Sequence, residues 1–209
     1  MTNERYREAI DTLQAWINEA RTVGEVEPTA MTLATVNRSG QPSARVVLLK
    51  ALDERGPVFY TNLNSRKGQE ISDSRSVAAC FYFTRLERQV RIEGEALTVS
   101  DSEADAYFAT RHRNSQLGAW ASQQSQPLPS RADLELRMDE LARQYEGQEV
   151  PRPPHWSGVR IRPIAIEVWQ GRAHRIHERW RYERQEQCAS PQAAGDDELG
   201  QWSKTLLQP

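Results

Sequence analysis

The stretch from Tyr60 to Gly68 runs strand residues, polar turn, hydroxyl, two cations and a helix start, and that order builds an anion receptor. Unpaired N–H groups converge at a helix N-terminus, the helix dipole adds positive potential, and Arg66 offers a planar fork beside the point charge of Lys67. A capped helix with solvated basic residues would carry the same letters. Arg45-Val46-Val47-Leu48-Leu49-Lys50 places a cation at each end of an apolar run. On a strand, Arg45, Val47 and Leu49 share one face while Val46, Leu48 and Lys50 share the other. Those cations either reach a ligand or snorkel to solvent. Arg111-His112-Arg113-Asn114-Ser115-Gln116, followed by Gln124-Ser125, sets cations beside hydroxyl and amide donors. Such a set suits a second phosphate. It equally suits a helix C-terminus, where basic residues offset the dipole.

The segment from Trp169 to Arg179 holds His174, Arg175 and His177. Read as an extended chain, the odd spacing of the histidines sends them to opposite faces. No cysteine or paired carboxylate nearby completes a metal site, so none is expected. The same parity puts Trp169, Arg175, His177 and Arg179 on one face: an aromatic wall, two fixed charges and a titratable ring for a planar anionic ligand. An exposed, charged edge strand would look alike, and a basic RNA-binding stretch is a third reading.

The elements that must position these groups alternate short strands with peripheral helices. Residues 5–22 show helical spacing in Ile10, Leu13, Trp16, Ile17 and Ala20, closed by Gly24 and Pro28. Strands are expected at 31–36, 44–49 and 58–61, with turns at 37–40 and 53–56. Ser65 is placed to cap a short helix through about Asp73. Strands follow at 77–84 and 89–100, the second with a bulge or close approach at Gly94. Helices are expected at 102–110 and 130–145, and final strands at 158–163 and from 164 to 175 or beyond. Residues 185–200 read as a loop or disordered stretch. The pattern suggests a closed or split antiparallel barrel. No Rossmann fingerprint, P-loop or internal repeat is present in the sequence.

The 209 residues suit one domain with trimmings: an N-terminal helix and linker over 1–28, the main domain with helical insertions over 29–184, and a flexible loop with a C-terminal strand or tail over 185–209. With 38% hydrophobic residues, either much of the chain is surface helix and tail, or a partner subunit closes part of the surface. Lys and Arg total 27 against 29 Asp and Glu, a balance that disfavours nucleic acid as a partner. Cys80 and Cys188 stand in unlike settings, which argues against a disulfide framework and fits a reducing, cytoplasmic location. No apolar run approaches membrane-spanning length, and the charged start does not read as a secretory signal, so no membrane partner is expected.

Taken in order, MTLATV, GQPSARVVLLK, VFYTNLNSRKG, LERQVRIEG, YFATRHRNSQLGAWASQQS, VPRPPHWSG and EVWQGRAHRIHERWRYER resemble the pyridoxamine 5'-phosphate oxidase family over roughly residues 29–184. The resemblance implies a mainly β fold, an FMN-binding split β-barrel with peripheral helices, whose active sites lie at a homodimer interface. It implies that Arg45 to Lys50, Tyr60, Thr61, Arg66, Lys67, Gln89, Gln124, Ser125, Trp169 and Arg179 hold FMN. Lys50, Tyr107, Arg111 and Ser115 would take the substrate phosphate, with Arg175 and His177 over the substrate ring. The implied reaction oxidises pyridoxamine or pyridoxine 5'-phosphate to pyridoxal 5'-phosphate by hydride transfer to FMN, with O2 as final acceptor and H2O2 as product. Arg175, always charged, would orient substrate, and His177 would handle a proton. The alternatives are a related oxidase such as that of phenazine biosynthesis, or a non-catalytic flavin or pyridoxal phosphate carrier. Two departures concern the substrate lid and the tail. The family's N-terminal Arg and Tyr are not placed on Arg5 and Tyr6, and Leu206 stands where an arginine is expected after Trp202.

Overall fold

The computed structural model describes residues 4–185 and 200–209. The loop expected at 185–200 and Cys188 therefore lie almost wholly outside the described residues. The first helix, α1 (Glu4–Thr22), buries Tyr6, Ala9, Ile10, Leu13, Ile17 and Ala20, a stripe three or four residues apart. Leu13 and Ile17 are essentially inaccessible to water, and burial of such a side chain stabilises by about 1.5–3 kcal/mol relative to exposure.

Among the described residues, nine strands form one antiparallel sheet: β1 (Ala30–Val36), β2 (Pro42–Leu48), β3 (Ala51–Asp53), β4 (Gly56–Asn62), β5 (Ser76–Phe83), β6 (Arg88–Thr98), β7 (Trp156–Gln170), β8 (Glu178–Arg184) and β9 (Trp202–Leu207). The main path runs β2-β1-β5-β6-β7-β4-β3, with β8 and β9 branching from β7. That branch splits the sheet. One edge of β7 pairs with β6 along its length, while the other is shared by β4 over 156–160 and β8 over 165–170. Pro163, which has no N–H to donate, falls in the gap between those two partners. It sits opposite Gly94, where the register shifts as the sequence predicts. A Cβ on Gly94 would lie 2.3 Å from the Arg162 carbonyl oxygen, so the two backbones approach too closely for any side chain.

The helices are α2 (Arg66–Ser74), α3 (Asp101–Ala109), α4 (Arg113–Ala121) and α5 (Arg131–Gln144). Ser65, Ser100 and Ser130 each accept a backbone N–H at the starts of α2, α3 and α5. One core, from α1 through β1, β5, β6 and β7 to Trp202, gathers most of the buried apolar side chains. A smaller cluster of Phe108, Leu117, Val150 and Trp156 seats the α3–α4 corner.

Two expectations need correction. The two last strands over 158–175 are one, β7, which stops at Gln170; residues 173–175 form a 3-10 turn before β8. The parity that aligned Arg175 with Trp169 therefore does not apply, because the chain reverses between them. Arg113 starts a new helix, α4, instead of closing α3, and its guanidinium binds the Gln148 and Tyr145 carbonyls. The turn expected at 53–56 is present, and it folds the short strand β3 onto β4.

Candidate functional site

The receptor around α2 forms because a turn and a helix start are locked together. Asn62 Oδ1 accepts from the Asn64 N–H at 2.8 Å, Ser65 Oγ donates to the Asn62 carbonyl at 2.6 Å, and Gly68 N–H donates back to Ser65 Oγ at 3.3 Å. Gly68 lets the helix rest on the turn: a Cβ there would lie 2.1 Å from the Leu63 carbonyl oxygen. Lys67, only 9% exposed, is thereby turned inward. Its Nζ donates to Thr61 Oγ1 at 3.0 Å, Ser65 Oγ at 3.1 Å and Gln124 Oε1 at 2.8 Å. No carboxylate among the described residues pairs with it. Burial, reinforced by the charge of Arg45, pulls its ammonium down to a pKa of about 8.

Arg66 and Arg45 meet through a residue that sequence reasoning missed. Glu70 accepts from Arg66 Nε at 2.8 Å and from Arg45 Nη2 at 3.2 Å, and also from the Thr35 and Ser43 hydroxyls. Burial alone would raise its pKa, but the hydrogen bonds from Ser43, Thr35, Arg66 and Arg45 outweigh it and bring the carboxyl to about 2.

Lys67 opens onto a cleft of about 480 Å³ whose walls include Val46, Val47, Leu48, Lys50, Tyr60, Thr61, Tyr107, Arg111, Ser115, Gln124 and Trp156. Among the described residues, three cations, Lys50, Lys67 and Arg111, line this cleft, and no carboxylate does. Arg111 lies over the Trp156 ring at 4.7 Å and near Phe108 at 5.6 Å, held by aromatic faces and not by an acid. Its Nη1 is buried without a hydrogen-bond partner among the described residues, and burial lowers its pKa. Tyr60 stacks on Tyr107 at 3.9 Å and on Trp156 at 5.1 Å, and burial raises both tyrosine hydroxyls. Cations without acids beside stacked aromatic rings give such a cleft the means to take an anionic, aromatic ligand.

Not every expected residue lies there. Leu49 is in the core, Arg45 is committed to Thr35, Ser43 and Glu70, and Ser125 is exposed with φ 73° beside Gln124. Gln89, Trp169 and Arg179 form a separate group across neighbouring strands, with Trp169 paired to Gln89 on one side and Arg179 on the other. The His177 ring lies 4.8 Å from Trp169, brought back by the β7–β8 turn, and its Nδ1 accepts from the Arg172 N–H at 3.2 Å. His177 also borders a second hollow with Arg172, Ile176 and the tail Leu206 to Pro209. Arg175 is exposed on this turn with φ 61°. Glu167 accepts from Arg179 at 3.1 and 3.2 Å.

The two groups stand apart within one chain. Tyr60 pairs with Gly158 and Arg179 pairs with Trp169, so they mark positions eleven residues apart on β7. At about 3.3 Å per strand residue, that is roughly 35 Å of strand.

Residues 12–145 match the family model described as pyridoxamine 5'-phosphate oxidase, and residues 156–209 match that of the pyridoxine 5'-phosphate oxidase C-terminal dimerisation region. A pyridoxine/pyridoxamine 5'-phosphate oxidase of Rubrobacter xylanophilus is 58% identical over 170 residues, covering 81% of this chain and 78% of that one. One from Agrobacterium fabrum is 48% identical over 195 residues, covering 93% and 89%. The crystal structure of PhzG from Burkholderia lata 383, in complex with tetrahydrophenazine-1-carboxylic acid, superposes with a TM-score of 0.84 at 32% identity, covering 100% of this chain and 94% of that one. A related FMN-binding protein from Nostoc punctiforme shares the fold, with a TM-score of 0.71 at 17% identity over 95% of this chain and 96% of that one.

Proposed function

The chain belongs to the pyridoxamine 5'-phosphate oxidase family of FMN-dependent oxidases, and from that premise we propose that it oxidises pyridoxamine 5'-phosphate, pyridoxine 5'-phosphate or both to pyridoxal 5'-phosphate. The observation that carries this reading is the cleft in which the described residues place three cations and no acid, and leave Arg111 Nη1 and Lys67 buried without an anionic partner. A buried cation left unpaired is costly, and a bound phosphate removes that cost. The donor set therefore fits two phosphorylated ligands, a flavin and a vitamer.

FMN, when bound, supplies the hydride acceptor for oxidation at C4′, and O2 takes up the electrons as H2O2. The protein's part is to bind and orient. Lys67 and Arg66 take the flavin phosphate, with Arg45, Tyr60, Thr61, Gln124 and Ser125 around it and the 46–50 strand segment alongside. Lys50, Tyr107, Arg111 and Ser115 take the substrate phosphate. Gln89, Trp169 and Arg179, together with Arg175 and His177, complete the site from the partner subunit of a homodimer, since roughly 35 Å of strand separates them from the cleft of their own chain. Because His177 Nδ1 accepts from the Arg172 N–H, a neutral ring carries its proton on Nε2 and presents a donor to the ligand. Arg175 remains a fixed charge that orients the substrate.

A second reading, a related oxidase acting on a larger aromatic acid, has the overall likeness to the Burkholderia protein in its favour. One experiment separates the readings: reconstitute the purified protein with FMN, record its visible spectrum, and measure peroxide with each substrate. The expected result is a yellow protein that releases peroxide with pyridoxine or pyridoxamine 5'-phosphate. Peroxide only with a reduced phenazine carboxylate would establish the second reading, and a yellow protein without turnover would indicate a carrier. A protein that takes up no FMN would end all three.

A further inference from the structure

Glu70 is in none of the ligand-contacting sets above, yet it is 4% exposed and its carboxylate is fully engaged. Oε1 accepts from Arg66 Nε at 2.8 Å. Oε2 accepts from Thr35 Oγ1 at 2.5 Å, Ser43 Oγ at 2.7 Å and Arg45 Nη2 at 3.2 Å. A single carboxylate thus ties β1, β2 and α2 together. Its effect on the two arginines differs. Arg45 is used up: its Nη groups also contact Thr35 and Ser43, so it stands as a fixed charge behind the receptor. Arg66 is pinned only through Nε, one turn earlier on the same helix, and both its Nη groups remain without a partner among the described residues. A guanidinium held by Nε keeps its outer edge free for two parallel bonds to an oxyanion.

Resting on the FMN reading above, we propose that Glu70 is a positioning residue for the flavin phosphate, aiming the Arg66 fork while leaving the adjacent Lys67 uncompensated. Electrostatics alone makes the opposite forecast. Glu70 is an anion near the phosphate site, so removing its charge should strengthen attraction for a phosphate dianion. If Glu70 works by orientation, removing it weakens binding despite that added positive charge. The sign of the effect therefore decides between the two.

The test is flavin-fluorescence titration of apoprotein with FMN and with riboflavin, which lacks the phosphate. Glu70→Gln should raise the FMN Kd about tenfold, equivalent to about 1.4 kcal/mol, while the riboflavin Kd moves less than about twofold. Glu70→Asp keeps the charge but shortens the arm, so it should show the same phosphate-specific loss and serves if the Gln variant folds poorly. Adding Arg66→Lys to either variant should cost little more than the worse single change, because both disrupt one interaction. Unchanged or tighter FMN binding in both Glu70 variants overturns the proposal. So does a parallel loss of riboflavin, which would mark a general structural role. Wild-type apoprotein that binds neither flavin would take down the cofactor reading itself, and this inference with it.

Discussion

Lys67 stands in three hydrogen bonds to neutral oxygens, with its pKa lowered from 10.5 to about 8 by burial and by Arg45. An anion beside it restores the proton's stability, so binding above pH 8 takes up a proton and FMN affinity should fall as pH rises beyond that point. The slope approaches about tenfold per pH unit at most. Between pH 7 and 8 affinity should be nearly level. Lys67→Met should bind FMN more weakly and lose the alkaline slope; an equal slope in both proteins, measured by titration at several pH values, would assign the effect elsewhere. The apoprotein shows the complementary sign. From about pH 8 to 10.5 the unfolded chain holds the Lys67 proton that the folded one has released, so stability contributed at this site rises with pH across that window. Lys67, Arg111 and Gln124 were legible in the sequence because their side-chain types suit an anion. Glu70 was not, since its partners Thr35 and Arg45 lie 35 and 25 positions away and only the fold brings them near. The Arg66–Glu70 spacing, one helical turn, was the available signal. Trp156, which holds Arg111 by its ring face, was visible only as part of a motif.

Element boundaries followed local chemistry where that chemistry is local. Ser65 was read as the cap of α2 and caps it, Ser100 and Ser130 do the same for α3 and α5, and the Gly94 bulge fell where a glycine interrupts a strand. The turn between β7 and β8 was illegible for a related reason. It bends through His174 and Arg175, with φ of 57° and 61°, and residues with a Cβ rarely enter that left-handed region. Chain reversal thus occurs at residues whose types read as strand or surface, while β7 continues through Pro163 because the proline sits where no partner needs its N–H. The docking of α2 is the element-level feature on which the receptor depends most. Gly68→Ala would press a methyl group against the Leu63 carbonyl, and backbone cannot yield as a flexible side chain does. The expected cost is about 1–3 kcal/mol of stability, read as a lower melting temperature, with anion binding at Lys67 lost as α2 lifts from its turn. A variant that melts and binds FMN like wild type would show that the contact is easily relieved.

At the scale of the whole molecule, β2 is an edge strand with Val46 65% exposed, and Ile176 and Leu206 are likewise open on the β8–β9 side. Residues 156–209 match a dimerisation region, so a second copy is the natural cover for the Ile176 and Leu206 side. A two-fold dimer buries one patch on both subunits and makes two equal sites. If each site takes its cleft from one chain and its Trp169–His177 group from the other, defects in the two groups must complement. Arg111→Ala and Arg175→Ala should each retain flavin and lose most turnover with the phosphorylated vitamer. A hybrid dimer carrying one of each would place both defects in a single site and leave the other intact. Random reassortment gives half hybrids, each with one good site of two, so mixed subunits should recover about one quarter of wild-type turnover. Two affinity tags allow the hybrid to be isolated and assayed directly, where about half the wild-type rate per dimer is expected. A purified hybrid no more active than its parents would mean that Arg111 and Arg175 serve the same site from the same chain. The strand separation along β7 would then have to be overcome within one protomer.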